Sequence, residues 1–318
     1  DIVDYKEVDR LTEIIIEDHL SSNISNIKTM EIRPHGMCTN ACAHCDENSS
    51  TRWIQLQALD NKPFLKNYED KPEVLTKLLA ETTDLRTVHF TGGEPLLYPK
   101  THINTLKQLP KNIQELRYHS SLKEQVNEKI LEAWEEFEHV KIFVSLDTSE
   151  KFFSYFRFGS NWPTVIENIQ HLQENSKVEI VGVVTVNVLT MLDFYPLIEY
   201  IIDNNFALNV AFVDPPHQLS CVYLPDNLKR NAVLQLHRAK IKAKEYKESW
   251  KTRRAIDNIN KIQTFMFTHY TKDIWPDSTL DFFAQLDHVY GLRIYDFDKR
   301  IYTGRHARKK DGTVEGHK

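Results

Sequence analysis

The sequence predicts an α/β fold: a partial (β/α)6, TIM-like barrel with an N-terminal helix before it and a mostly helical C-terminal extension after it. Three observations predict this. Val- and Ile-rich runs of strand length alternate with helix-period runs six times in succession, the pattern of a parallel sheet carrying helices on its outer face. The residues able to do chemistry fall just after the strands, where parallel α/β folds gather their ligands. The alternation then stops after Phe212, at Asp214-Pro215-Pro216.

Residues 1–27 read as an amphipathic helix, with Leu11, Ile14, Ile15 and Ile16 among acidic residues, closed by a polar turn from Ser21 to Asn26. Strands are expected over 28–33, 86–91, 114–119, 140–146, 178–187 and 207–213, each a β-branched or aromatic run. Helices are expected over 72–82, 100–109, 122–137, 162–175 and 193–204, with a long, less regular connection over 46–71. A charged helical stretch follows to about residue 268, then a tail rich in aromatics (Trp275, Phe282, Phe283, Tyr290, Tyr295, Phe297). The resulting division is 1–27, a core over 28–215, and an extension over 216–318.

Composition narrows the function. A hydrophobic content of 41% in 318 residues is enough for a sizeable core, and no apolar run approaches the length of a membrane span. The net charge of −5 excludes a chain that binds nucleic acid as a whole. Asp1-Ile2-Val3-Asp4 shows no targeting signal, so a cytoplasmic protein is expected; it also lacks Met, so a fragment or processed form is expected. Charge is uneven. Ten Lys/Arg lie between Lys229 and Arg254 against Glu245 and Glu248 alone, and Arg305, Arg308, Lys309 and Lys310 form a second cluster. Lys240, Lys244 and Lys247 stand at i, i+4 and i+7, which reads either as a solvated helix face or as a docking face for an anionic partner.

The densest chemical signal is Cys38-Thr39-Asn40-Ala41-Cys42-Ala43-His44-Cys45, a C-x3-C-x2-C loop directly after the first strand. Three thiolates on one loop can hold three corners of an iron–sulfur cube and leave the fourth iron open for a ligand. Zinc is the competing reading, with His44 or His35 as fourth ligand. A disulfide fits poorly, because four cysteines in 318 residues is sparse usage. The remaining one, Cys221, reads as a small buried hydrophobe or a hydrogen-atom donor. Further loaded positions follow later strands: Thr91-Gly92-Gly93-Glu94-Pro95, Ser145-Leu146-Asp147 and Val186-Asn187. Asp147 to Glu150 also reads as a helix capping box.

C-x3-C-x2-C followed by Gly-Gly-Glu-Pro after the second strand resembles the radical S-adenosylmethionine (radical SAM) superfamily, over about residues 28–215. More finely, MCTNACAHCDENSSTRW, FTGGEPLL, VSLDTSEKFFSYFRFGSNWPTVIENI and VTVNVLTMLDFYPL resemble its twitch-domain-containing branch. The resemblance implies that Cys38, Cys42 and Cys45 ligate a [4Fe–4S] cluster whose fourth iron is chelated by S-adenosylmethionine. It implies that Gly92 and Gly93 let the backbone approach the methionyl amine, that Glu94 supports this loop, and that His44 packs against the adenine. Ser145 and Asp147, on alternate positions of a strand, match the ribose-contacting strand end. Arg157 is implied as partner of the methionyl carboxylate, and Asn187 as a contact to ribose or carboxylate.

The implied activity is reductive cleavage of S-adenosylmethionine to a 5′-deoxyadenosyl radical that abstracts hydrogen from a substrate, with flavodoxin or ferredoxin as electron donor. Only Cys221 remains outside the motif, too few cysteines for an auxiliary cluster within residues 1–318, which favours outcomes needing no second electron acceptor. The substrate is open: an unidentified small molecule, or a peptide or nucleic acid docked on the 229–254 face. A non-catalytic iron–sulfur or zinc protein is the alternative from another class.

Overall fold

Residues 26–59, 72–269 and 272–302 are described by the computed structural model. The N-terminal helix, save its last two residues, and the Arg305–Lys310 basic cluster lie outside them.

Six strands form one sheet: β1 (Thr29–Ile32), β3 (Thr87–Phe90), β4 (Glu115–Ser120), β5 (His139–Ser145), β7 (Glu179–Val186) and β8 (Ala207–Phe212). They lie in sequence order and every neighbouring pair is parallel. This is the expected partial TIM-like (β/α)6 arrangement. The outer face is apolar and buried, with Val88 and Phe90, Leu116 and Tyr118, Ile142 and Val144 in neighbouring strands. Helices cover it: His102 Nε2 lies 2.9 Å from the Tyr118 hydroxyl, and Trp134 Nε1–H donates to that hydroxyl at 2.9 Å.

The inner face is different. Glu31, His89, Arg117, Lys141 and Glu179 form one row across five strands. All of them are half-buried or exposed. Lys141 bridges Glu115 (3.1 Å) and Glu179 (3.2 Å) on either side of its strand. The apolar/polar alternation of these strands therefore separates a packed outer face from a wet inner one.

Helices Pro72–Glu81, Pro99–Leu106, Trp162–Asn175 and Phe194–Asp203 stand close to where periodicity puts them. The helix expected from 122 is only Glu128–Trp134, because Asn127 caps it through Lys129 N–H and Leu122 has a positive φ of 47°. Periodicity missed Thr51–Leu59, Glu150–Phe156 and Val188–Leu192, each shorter than the 11-residue window such patterns need.

The charged stretch is two helices, Asp226–Glu245 and Trp250–Met266. The first ends before Lys247, so Lys240, Lys244 and Lys247 do not share one helical face. Five of the ten cations in the stretch serve the fold. Lys229 is fully buried and donates to the His269 carbonyl. Lys240 donates to Gln263 (2.9 Å), Lys242 pairs with Asp203 (2.8 Å), and Lys251 donates to the Asn205 carbonyl (2.8 Å). Arg254 and Asn258 donate to Leu208 O at 3.2 and 2.9 Å, covering the open edge of β8.

Candidate metal and cofactor site

The cysteine loop leaves β1 and is held from three sides. The N-terminus of helix Thr51–Leu59 grips Cys38: its N–H donates to Thr51 Oγ1 (3.2 Å), and Thr51 Oγ1 and Arg52 N–H donate to its carbonyl (3.0 and 3.2 Å). A two-residue strand, β2 (Ala41–Cys42), pairs antiparallel with β6 (Arg157–Phe158) and sets Cys42 opposite Arg157. Trp53 Nε1–H donates to Cys42 O (3.0 Å), and Cys45 N–H turns back onto the same carbonyl (3.0 Å).

The third support comes from the far end of the chain. Tyr290, last residue of helix Asp277–Tyr290, donates its hydroxyl to Ala41 O at 2.8 Å and stacks on Phe158 at 4.3 Å. Sequence reading placed Tyr290 in an aromatic tail with no role at the site. Tyr290→Phe is expected to cost about 1 kcal/mol, the worth of one hydrogen bond. An unchanged urea midpoint would detach that helix from the loop.

The glycine loop after β3 laces onto the cysteine loop. Gly93 N–H donates to His35 O (3.2 Å) and Glu94 N–H to Met37 O (2.8 Å). A Cβ at Gly93 would lie 2.3 Å from Met37 O, and one at Gly92, whose φ is +110°, would lie 2.8 Å from His35 O. The glycines thus answer a local need: two backbones in contact, beneath whatever ligand they face. Glu94 is buried and bonded to the next strand's end. It accepts from Ser120 Oγ (2.8 Å), Ser121 N–H (2.9 Å) and Ser121 Oγ (2.7 Å), tying the ends of β3 and β4 together. Burial pushes its carboxyl upward against these donors.

Asp147, after β5, is fully buried with a φ of +49°, a conformation uncommon outside glycine. Its Oδ1 accepts from Thr185 N–H (2.7 Å), its Oδ2 from Arg157 Nε (2.9 Å) and Nη2 (2.6 Å), and its carbonyl from Thr190 Oγ1 (2.6 Å). The capping-box reading does not hold: Ser149 is the N-cap of helix Glu150–Phe156, and no side chain caps it. Arg157 is buried, not on the surface, and its Nη1 reaches Cys42 Sγ at 3.6 Å. These contacts within the chain stand beside the roles toward carboxylate and ribose that the resemblance implies.

Asn187 is likewise occupied. It caps helix Val188–Leu192, accepting from Leu189 N–H (2.8 Å) and Thr190 N–H (3.1 Å), and donates to Thr185 O (2.8 Å). Ser145 lies half-buried on the inner face, two positions from Phe143. The His44 ring stacks on Phe156 at 5.0 Å, and its buried Nδ1 has no partner. Burial lowers its basicity, so it stays neutral near pH 7. Lys123, missed in the sequence, donates to Thr39 Oγ1 (3.1 Å) and brings a second cation to the loop.

Burial raises all three thiols, Cys45 to about 11 and Cys42 further, so only a bound metal would keep them as thiolates. Among the described residues no three His, Cys, Asp or Glu side chains converge as ligands of a single ion must. A cube asks less, since each thiolate meets its own iron. Three thiols on one loop, flanked by Arg157 and Lys123, fit a cluster better than a single zinc ion.

The sequence matches the radical SAM superfamily over residues 32–201, more than half of the chain. No curated protein matches it. Among solved structures, native anSMEcpe with bound AdoMet is 17% identical, with 67% of this chain and 61% of that one covered and a TM-score of 0.49. SuiB of Streptococcus suis bound to S-adenosylmethionine is 16% identical, covering 74% and 53%, with a TM-score of 0.45. Methylornithine synthase (PylB) is 14% identical, covering 90% and 88%, with a TM-score of 0.45. The chain spans about three fifths of the first of these and about half of the second. On the match across its core, the chain belongs to the radical SAM superfamily of enzymes, whose cofactors are a [4Fe–4S] cluster and S-adenosylmethionine.

Proposed function

We propose that Cys38, Cys42 and Cys45 hold a [4Fe–4S] cluster, that S-adenosylmethionine binds at its open iron, and that residues 28–215 form the catalytic core. When bound, the two cofactors supply a 5′-deoxyadenosyl radical for hydrogen abstraction, after one electron arrives from a carrier such as flavodoxin or ferredoxin. The chain's own residues bind, orient and exclude water. Thr51 and Trp53 fix the backbone of Cys38 and Cys42, Gly93 and Glu94 lock the loop to β3, and Tyr290 and Phe158 wall it from solvent. Neutral His44, within the loop and with an unpartnered Nδ1, supports an adenine contact there.

The substrate belongs on the inner face, where His119, Phe143 and Ser145, at the ends of β4 and β5, remain half-buried. An anionic or peptide substrate docked on the 229–254 helices is weakly supported, because Lys229, Lys240, Lys242, Lys251 and Arg254 bind within the chain. Among the described residues no helix is long and apolar enough to cross a membrane.

The observation that carries the reading is the set of three thiols on one loop, Cys42 buried against Arg157 and Cys38 and Cys45 half-buried. Anaerobic reconstitution should load about four irons per chain. Replacing Cys38, Cys42 and Cys45 together by Ala should abolish loading and, with it, 5′-deoxyadenosine formation under reducing conditions. Stoichiometric zinc with no iron uptake would sink the proposal.

A further inference from the structure

We propose that Asp147 and Arg157 form a buried charge pair that sets the redox potential of the cluster through the sulfur of Cys42. This rests on the cluster reading above. The inference begins with backbone register. Cys42 and Arg157 are directly opposed in the β2–β6 ladder, so their side chains leave the same face as neighbours. The approach of Nη1 to Sγ, at 3.6 Å, is built into the strand pairing.

The guanidinium is divided between two acceptors. Nε and Nη2 donate to Asp147 Oδ2 at 2.9 and 2.6 Å, leaving Nη1 for the sulfur. Asp147 is itself immobile. Thr185 N–H holds Oδ1 at 2.7 Å, and Thr190 Oγ1 holds its carbonyl at 2.6 Å. A left-handed backbone at a fully buried aspartate is strained and persists only where surroundings over-determine it. Such a device aims Nη1 of Arg157 at the sulfur of Cys42.

The electrostatics give the pair its effect. Arginine is charged at every working pH and donates strongly to thiolate. Reduction adds one negative charge to the cluster, so a cation and an N–H donor at a ligating sulfur favour the reduced form and raise the potential. Asp147 opposes this. Its carboxylate lies on the same guanidinium and cancels part of its field, leaving a potential low enough for a strongly reducing cluster. Lys123 donates to Thr39, not to a sulfur, and so acts from further off.

The two members of the pair should therefore move the potential in opposite directions. Arg157→Gln should lower the midpoint potential of the reconstituted protein, Asp147→Asn should raise it, and Arg157→Lys should stay nearer the parent than Arg157→Gln. Asn is chosen because its Oδ1 can still accept from Thr185. The measurement is a dithionite titration with mediators, followed by electron paramagnetic resonance of the reduced cluster, with no S-adenosylmethionine or substrate present.

A merely structural role predicts otherwise: water entering a loosened pocket would shift both charge-changing variants the same way. Shifts of the same sign, or an unmoved potential in Arg157→Gln, would overturn the assignment. If Arg157→Gln fails to take up iron, a fall or no change in Asp147→Asn overturns it instead. A parent protein that loads no cluster would overturn the cluster reading itself, and the tuning with it. A parent that loads one, with unmoved variants, overturns the tuning alone.

Discussion

Asp147→Ala should destabilise the protein by about 3–5 kcal/mol, the cost of leaving a buried guanidinium without its partner. Arg157 is buried beside it, and its other contact is a sulfur at 3.6 Å. The truncation also orphans the Thr185 N–H, which has Asp147 Oδ1 as its acceptor at 2.7 Å. Urea denaturation of the cluster-free protein measures this directly. The pH dependence has a definite sign. Burial pushes the Asp147 carboxyl upward, but the guanidinium, His44 and the Thr185 N–H outweigh it and hold it below the ordinary range. The stabilisation is therefore complete above the unfolded value of about 3.9 and lost only as pH falls through the lower folded value. A variant as stable as the parent near neutrality would mean that the pair contributes nothing to the fold.

Gly93→Val should remove most of the iron from the reconstituted protein. A Cβ there would stand 2.3 Å from Met37 O, 2.6 Å from Met37 C and 2.8 Å from Gly36 C, all of them backbone. No rotamer change relieves that contact, so the loop leading into Cys38 must move and the bonds to His35 O and Met37 O must break. Overpacking of this kind costs roughly 1–3 kcal/mol. The larger effect is on geometry, since a cube accepts its three sulfurs only at set positions. Iron content and visible absorbance after anaerobic reconstitution give the readout, with circular dichroism to show that the barrel still folds. A folded variant carrying the parent's iron would detach the glycine lace from the cluster pocket.

Much of the core was legible in the order of residues. All six strands are where β-branched runs place them, and the cysteine loop and the Gly-Gly-Glu loop follow the first two of them, as expected. The short helices were not legible, because one or two turns carry no period. The basic stretch shows a second kind of limit. Composition pointed to a face, but helix Asp226–Glu245 ends before Lys247, and five of the ten cations are held in contacts within the chain. Charge in a sequence has no direction until the chain is folded.

The sequence by itself determined the parallel α/β core and the three thiols on one loop, because strand period and covalent spacing are local properties. Only the tertiary structure decided what surrounds those thiols. Register between two two-residue strands set Arg157 against Cys42, a left-handed turn aimed Asp147 at Arg157, and packing brought Tyr290 to Ala41 across 249 residues. These partners are far apart along the chain and meet through backbone geometry and burial, which no local pattern of residue types encodes.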